Sequence, residues 1–295
     1  VEKLSLFKRN PCSSRQLCGQ RALLALSDDA RTDITSSACI GKQNACALIR
    51  AKQAGVVCGI LEADAALSPS LRVKWRVKEG AKVRKGSVIA ELEGSVREIL
   101  RRERTALNYL CILSGIATES ARLAKKFNGR IASLRKTHPC LSASEKRAVA
   151  VGGCLVHRLS LSDGYLIKNN HISAIAGAAK VSRQEAIGIA VDGCLLHRKR
   201  AGSKYFIEVE VQSEKEAIAA AWTTADAILI DNGRLPQFRK IVRAIRKINK
   251  GALIEASGGI TPENAGAYLK AGADFCSTSH LTMRARLLDI NLELV

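Results

Sequence analysis

Apolar and polar positions change period along this chain. From residue 129 onward, short apolar runs alternate with stretches of helical period. The runs predict strands at 129–134, 164–167, 205–211, 225–230, 252–256 and 274–277. Helices are predicted at 143–151, 173–190 and 236–249, with further ones opened by Ser213 and Glu216 and by Thr261-Pro262. Ser142 and Glu145 have the spacing of a capping box, and Gly152-Gly153 closes that helix. Strand followed by helix, repeated, implies a parallel sheet with right-handed crossovers. The pattern alone fits a closed barrel and a doubly wound open sheet equally well.

The first 128 residues are less regular. An amphipathic helix is expected at 15–26, a turn-rich loop at 28–36 and a strand at 55–61, while 39–50 fits no single element. Residues 71–94 alternate apolar and polar, broken by Glu79-Gly80 and Lys85-Gly86. That resembles the hairpins of lipoyl and biotinyl carriers, but no lysine stands in their modification setting, so a plain sheet module is expected. Residues 97–127 are apolar on one face and charged on the other, one connecting helix or two.

A length of 295 residues leaves room for one large α/β domain and a smaller one. The formal net charge of +20 is far from that of an ordinary enzyme and calls for anionic partners. Aromatic residues make up only 4%, too few for the stacking platforms of single-strand binders, so small anions come first. A basic stripe at Arg239, Arg243, Arg246 and Lys250 has the spacing of a nucleic-acid face, but a solvated outer helix is the commoner use of one. No apolar window long enough to cross a membrane exists, and the first ten residues are too charged for a signal peptide, so a cytoplasmic protein is expected. The ten cysteines are then free thiols. Cys154 with His157, and Cys194 with His197, repeat a C-x-x-H spacing; two helix-to-loop segments explain it, and no zinc is expected.

Charged and small residues gather where the predicted strands end: Arg135-Lys136, Lys168, Glu210, Asp231, Ser257-Gly258-Gly259 and 277–280, with His157-Arg158 in a loop between. Polar strand ends on one face are how barrel active sites are built. The repeated cations point to one basic pocket for a ligand with several negative charges.

The same residues carry a family likeness. R-K-T at 135–137, G-G-x-x-x-H-R at 152–158 and L-I-K-x-N-H-I at 166–172 resemble quinolinate phosphoribosyltransferase. So do E-R-T-A-L-N-Y-L from Glu103, I-E-V-E-V at 207–211, I-L-I-D-N at 228–232 and E-A-S-G-G-I-T at 255–261. The resemblance implies an incomplete TIM-like α/β barrel at 105–283 and a smaller N-terminal α/β sandwich domain at 1–104, to which a strand at about 284–295 returns. It implies transfer of phosphoribose from phosphoribosyl pyrophosphate to the ring nitrogen of quinolinate, with decarboxylation, in NAD biosynthesis. Arg104, Arg135, His157, Arg158 and Lys168 are then expected on quinolinate. Lys136, Glu210, Asp231, Ser257, Gly258, Gly259, Ser279 and His280 are expected on phosphoribosyl pyrophosphate, with Lys136, Glu210 and Asp231 catalytic. Glu210 and Asp231 are also expected to hold Mg²⁺. The family implies a homodimer in which Arg104 completes the partner's site, and leaves open a higher oligomer. Two positions depart from the pattern: Asn169 replaces an aspartate, exposing whatever cation that acid neutralises, and Met283 ends the last phosphate loop, where His280 is a substitute donor. A paralogue using nicotinate is the runner-up, but one carboxylate does not match so large a set of cations.

Overall fold

The structure, a computed structural model, describes residues 2–7, 15–68 and 70–295. A 3-10 turn (Glu2–Phe7) precedes helices α1 (Arg15–Asp29) and α2 (Ile34–Cys39). Strands β1 (Asn44–Ala51) and β2 (Gly55–Val56), helix α3 (Ile60–Leu67), strands β3 (Arg72–Trp75), β4 (Lys82–Val83) and β5 (Val88–Ser95), and helix α4 (Val96–Phe127) follow. Then come β6 (Ile131–Ser133), α5 (Ser142–Val151), β7 (Tyr165–Ile167), α6 (Asn169–Ala179), α7 (Arg183–Arg200), β8 (Ile207–Val211) and α8 (Glu214–Trp222). The chain continues through β9 (Ala227–Asp231), α9 (Leu235–Ile248), β10 (Leu253–Ser257), α10 (Ala265–Lys270), β11 (Phe275–Thr278), α11 (His280–Met283) and β12 (Ile290–Leu294). Two units result, one of residues 10–126, 136–154 and 281–295, the other of 1–9, 127–135 and 155–280. Both are discontinuous, and all of α4 before Phe127 keeps with the first, as does α5.

The first unit is built on an antiparallel sheet ordered β12-β1-β5-β3. Ala47, Ile49 and Ala51 of β1 are fully buried, the alternation of a strand with one face on a core. Residues 55–61, expected as one strand, give only the two residues of β2 before the chain turns into α3. The reason is non-local. The Glu79 carboxylate accepts from Cys58 Sγ at 2.9 Å, Gly59 N at 3.1 Å and Ile60 N at 3.1 Å, capping the helix from outside it, while Gly59 takes φ +100°. The expected Ser142–Glu145 box does not form: Leu141 is the N-cap, and Glu145 instead accepts from His138 N at 3.2 Å and faces its Nδ1 at 2.5 Å. Helix α5 is buried on polar residues because Arg147 reaches Glu62 at 2.5 Å and Glu79 at 3.2 Å, and Ser144 donates to Glu62 at 2.6 Å. Residues 97–127 form one helix, α4, of 32 residues.

The second unit is a curled half-barrel of six parallel strands in the order β6-β11-β10-β9-β8-β7. A doubly wound sheet reverses direction about its first strand. Here β7 to β11 follow one another in sequence order and β6 sits beside β11. On the free edge of β6, Ala132 makes a single parallel bridge to Leu155. Two expected elements divide or shift. The helix at 173–190 is two, α6 ending at Lys180 with φ +53° and α7 restarting on a Ser182–Glu185 capping box. Thr261 caps a turn, its hydroxyl accepting from Glu263 N and Asn264 N, before α10 begins at Ala265.

Phe7 fills the inside of the half-barrel. It is fully buried, with ring centroids 4.6 Å from Phe206 and 4.7 Å from Phe275, and its carbonyl accepts from Val156 N at 3.0 Å. Phe7→Ala should cost about 3–5 kcal/mol of stability, as for other buried phenylalanines. Urea denaturation followed by circular dichroism checks this.

Candidate active site at the strand ends of the half-barrel

Side chains on a strand alternate between faces, and register-paired residues of parallel strands share a face. Glu208 pairs with Ala227, Glu210 with Leu229, Glu255 with Leu229 and with Phe275, and Ser257 with Asp231. These residues therefore all project to one side, the inside. They sort into layers along the strands. Phe206, Ala227, Leu253 and Phe275 form an apolar floor with Phe7, Ala132 and Leu155. Glu208 and Glu255 come next, and Glu210, Asp231 and Ser257 end the strands at the rim.

The rim holds the expected polar residues of this unit. Lys168 directly follows β7 and sets its Nζ 3.8 Å from Glu210. Glu210 also accepts from Asn169 N at 3.3 Å. Asp231 accepts from Asn232 Nδ2 at 2.8 Å, and Asn232, at φ +53°, donates its N–H to the Ser257 carbonyl at 3.0 Å. Gly258 is at φ +79°, and a Cβ there would lie 2.3 Å from Asn232 Oδ1, so this loop requires glycine. Gly259, at φ +64°, faces open space. Ser257 accepts from Ser277 Oγ at 2.9 Å, and His280 N donates to Thr278 Oγ1 at 3.1 Å. Asn169 does not leave a cation exposed. Its Oδ1 accepts from Arg183 at 2.6 Å, and Glu216, also at 2.6 Å, neutralises that guanidinium.

Arg158 is buried, with Nη1 donating to the Gly164 carbonyl at 3.1 Å while its Nε has no partner. Burial, and then the neighbouring Arg135 charge, push its pKa down. A buried guanidinium with a donor left open is suited to accept an anion. Lys136 and Arg104 lie in the other unit. Lys136 is exposed and its carbonyl accepts from Thr282 Oγ1 at 2.6 Å; Arg104 projects from α4, 64% exposed and 3.9 Å from Glu103.

His157 departs from expectation. Rather than opening to the rim it is 4% exposed, with Nε2 2.8 Å from Glu208 and 3.1 Å from Glu255 and its ring stacked on Phe7. Burial opposes its charge, but the Glu255 and Glu208 carboxylates outweigh that and raise it to about 10. Glu208 is pushed up to about 7 by burial and by Glu255, whereas His157 draws Glu255 down. Of the residues with C-x-x-H spacing, Cys154 Sγ donates to the Ser120 carbonyl, and His197 Nδ1 meets the Tyr165 hydroxyl at 2.9 Å. Glu208 was missed in the sequence, although an acid at every second residue of β8 is its signal; Glu255, the lone acid of β10, gives none. In the basic stripe, Arg246 is bound internally, to Asp274 at 2.6 Å and the Ala252 carbonyl at 2.5 Å, leaving Arg239, Arg243 and Lys250 exposed.

Two family models match in tandem, the quinolinate phosphoribosyl transferase N-terminal domain over residues 33–114 and C-terminal domain over 115–293. The chain belongs to the quinolinate phosphoribosyl transferase family. It is 36% identical over 280 residues to the probable nicotinate-nucleotide pyrophosphorylase [carboxylating] of Bacillus subtilis, covering 91% of this chain and 90% of that one. The protein of that name from Methanocaldococcus jannaschii is 38% identical over 274 residues, covering 89% and 92%. Among solved structures, the nicotinate-nucleotide pyrophosphorylase from Francisella tularensis superposes with a TM-score of 0.84 at 28% identity, covering 97% of this chain and 99% of that one.

In this quinolinate phosphoribosyl transferase the buried imidazolium makes stability depend on pH. The folded pKa of His157, about 10, is above its ordinary 6.5. Its contribution is therefore complete below about pH 6.5 and is lost as pH rises through about 10. The urea midpoint should fall over that window, and fall less in His157→Gln; denaturation at several pH values checks both.

Proposed function

We propose that the chain transfers phosphoribose from phosphoribosyl pyrophosphate to the ring nitrogen of quinolinate with decarboxylation. The products are nicotinate mononucleotide, pyrophosphate and CO2, in de novo NAD biosynthesis. The observation that carries this reading is Arg158, buried beside Arg135 with its Nε unpartnered. Arginine forks hold carboxylates through paired hydrogen bonds, and a dicarboxylate relieves the repulsion between two of them. Arg135, Arg158 and Lys168 take quinolinate. His157 supports them from beneath. Nicotinate, with one carboxylate, leaves part of this charge unmatched.

On the phosphoribosyl side Lys136, which follows Arg135 directly, meets the pyrophosphate as a point charge. Ser257, Gly258, Gly259, Ser279 and His280 receive the 5-phosphate, the glycines offering backbone N–H groups. Glu210 and Asp231 contact the ribose hydroxyls and stabilise positive charge as the carbon–oxygen bond to pyrophosphate breaks. The pyridine nitrogen supplies the new bond's electron pair. The now cationic ring accepts the pair released when the adjacent carboxylate leaves as CO2, and a proton takes that carbon. Glu210 and Asp231, hard oxygen donors facing one side from adjacent strands, also suit Mg²⁺, which when bound neutralises diphosphate charge.

A homodimer with Arg104 reaching the partner's site accords with its exposure on α4. Exposed Leu17, Leu23 and Leu24 on α1, and a groove of about 740 Å³ that includes Leu24, Thr105, Asn108 and Tyr109, support an interface there. A cytoplasmic site accords with the unpaired cysteines among the described residues, where no helix is long and apolar enough to cross a membrane.

Purified protein should consume quinolinate only with phosphoribosyl pyrophosphate and Mg²⁺, and should leave nicotinate. Equal turnover of the two pyridines overturns the dicarboxylate reading. Arg135→Ala and Lys168→Ala should each raise the quinolinate KM tenfold or more, the loss of a charge-assisted contact of about 1.5–3 kcal/mol.

Assayed at quinolinate far below its KM, Arg104→Ala and Lys168→Ala should each be nearly inactive alone. Co-refolded in equal amounts, about half the dimers are mixed, each with one intact site, and activity returns to roughly a quarter of the parent's. Continued inactivity after confirmed subunit exchange rejects the shared site.

A further inference from the structure

Resting on the quinolinate reading above, we propose that Glu208 and Glu255 are positioning residues for quinolinate that act through His157 on Arg158. His157 is at φ +53°, a left-handed conformation uncommon for a residue with a Cβ. What fixes it is on every side. Nε2 is 2.8 Å from Glu208 and 3.1 Å from Glu255, one face lies on Phe7 with centroids 5.0 Å apart, and Phe206 meets the ring edge-on at 5.6 Å. The next residue is Arg158, so the left-handed turn sets where its backbone departs.

Beyond Arg158 the chain is held again, at Leu159 N by Asp163 at 2.8 Å, and the guanidinium rests on the Gly164 carbonyl at 3.1 Å. Arg158 is thus clamped before and after, with one buried donor, Nε, still to be filled. Glu208 and Glu255 are fully buried; Glu208 keeps one oxygen and Glu255 both oxygens with no hydrogen-bond partner. Burying two carboxylates this way is unfavourable unless a cation stands between them, and His157 is that cation. Their place is set by the fold. Glu208 is two residues before Glu210 and Glu255 two before Ser257, on the same inward face but one layer deeper. The deep layer therefore fixes the turn from which the rim's arginine reaches substrate.

Steady-state kinetics on the full chain tests this with Glu208→Gln, Glu255→Gln, Arg158→Ala and the two double variants. Each glutamine variant should raise the quinolinate KM about tenfold and leave the phosphoribosyl pyrophosphate KM within about twofold. Adding either to Arg158→Ala should produce no further rise, because the effect runs through that arginine. Equal shifts in both Michaelis constants, or full additivity with Arg158→Ala, overturns the proposal. Should the glutamine variants fail to fold, Glu208→Asp and His157→Gln keep a polar partner in place, and the same split between the two constants decides. A parent that consumes no quinolinate overturns the functional reading and this proposal together. One equivalent of divalent metal kept by the parent through dialysis against a chelator, and lost from Glu255→Gln, overturns it in favour of a metal centre at these three residues.

Discussion

Alternation along parallel strands is the constraint from which the half-barrel's chemistry follows. Once β8, β9, β10 and β11 pair in register, the inward positions are decided two residues at a time. The floor must then be apolar, and Phe206, Ala227, Leu253 and Phe275 supply it. The rim meets solvent and takes Glu210, Asp231 and Ser257. A slip of one residue in β8, β9 or β10 would turn that strand's acid outward and bring its Val or Ile in. Register is therefore what assembles the site.

Between floor and rim the molecule keeps charge where it is most costly. A lone carboxylate in a dry interior would take up a proton. Here a single imidazolium lies against two carboxylates, and aromatic rings close around it. The arrangement has little freedom: the imidazolium and the carboxylates hold charge on one another, while Glu255 opposes the ionisation of Glu208. The first unit uses the same solution with different residues, Arg147 between Glu62 and Glu79. In both, one cation between two acids draws separate segments of chain together.

Much of this was legible in the sequence, for physical reasons. The parallel strands from β6 to β11 were visible because buried strands bounded by turn residues and followed by amphipathic helices have few alternative readings. The rim residues were visible because charge at the end of an apolar run is conspicuous, and the motifs around Arg135, Arg158 and Lys168 gave the family. Features that depend on partners distant in sequence were not visible. Helix α3 begins where it does because Glu79, about twenty residues on, caps it. Glu145 has capping-box spacing but is engaged by His138. Asn169 suggested a bare cation, and only the fold brings Glu216 to Arg183. His157 resembled a rim ligand because nothing local reveals that Glu208 and Glu255 meet it below the rim.

Strand β12 carries a consequence for synthesis. It pairs antiparallel with β1, Ala47 opposite Leu294 and Ala51 opposite Ile290. Roughly 240 residues separate the partners, so closing that pair costs loop entropy that only the finished unit recovers. On the ribosome β1 emerges roughly 240 residues before β12. During that interval one side of β1 is an open row of backbone donors and acceptors, flanked by buried-type alanine and isoleucine. An unprotected edge of this kind recruits other strands, including those of neighbouring nascent chains. Strand β12 therefore protects the first sheet from its own copies, and yield in a cell depends on how soon after β1 it arrives.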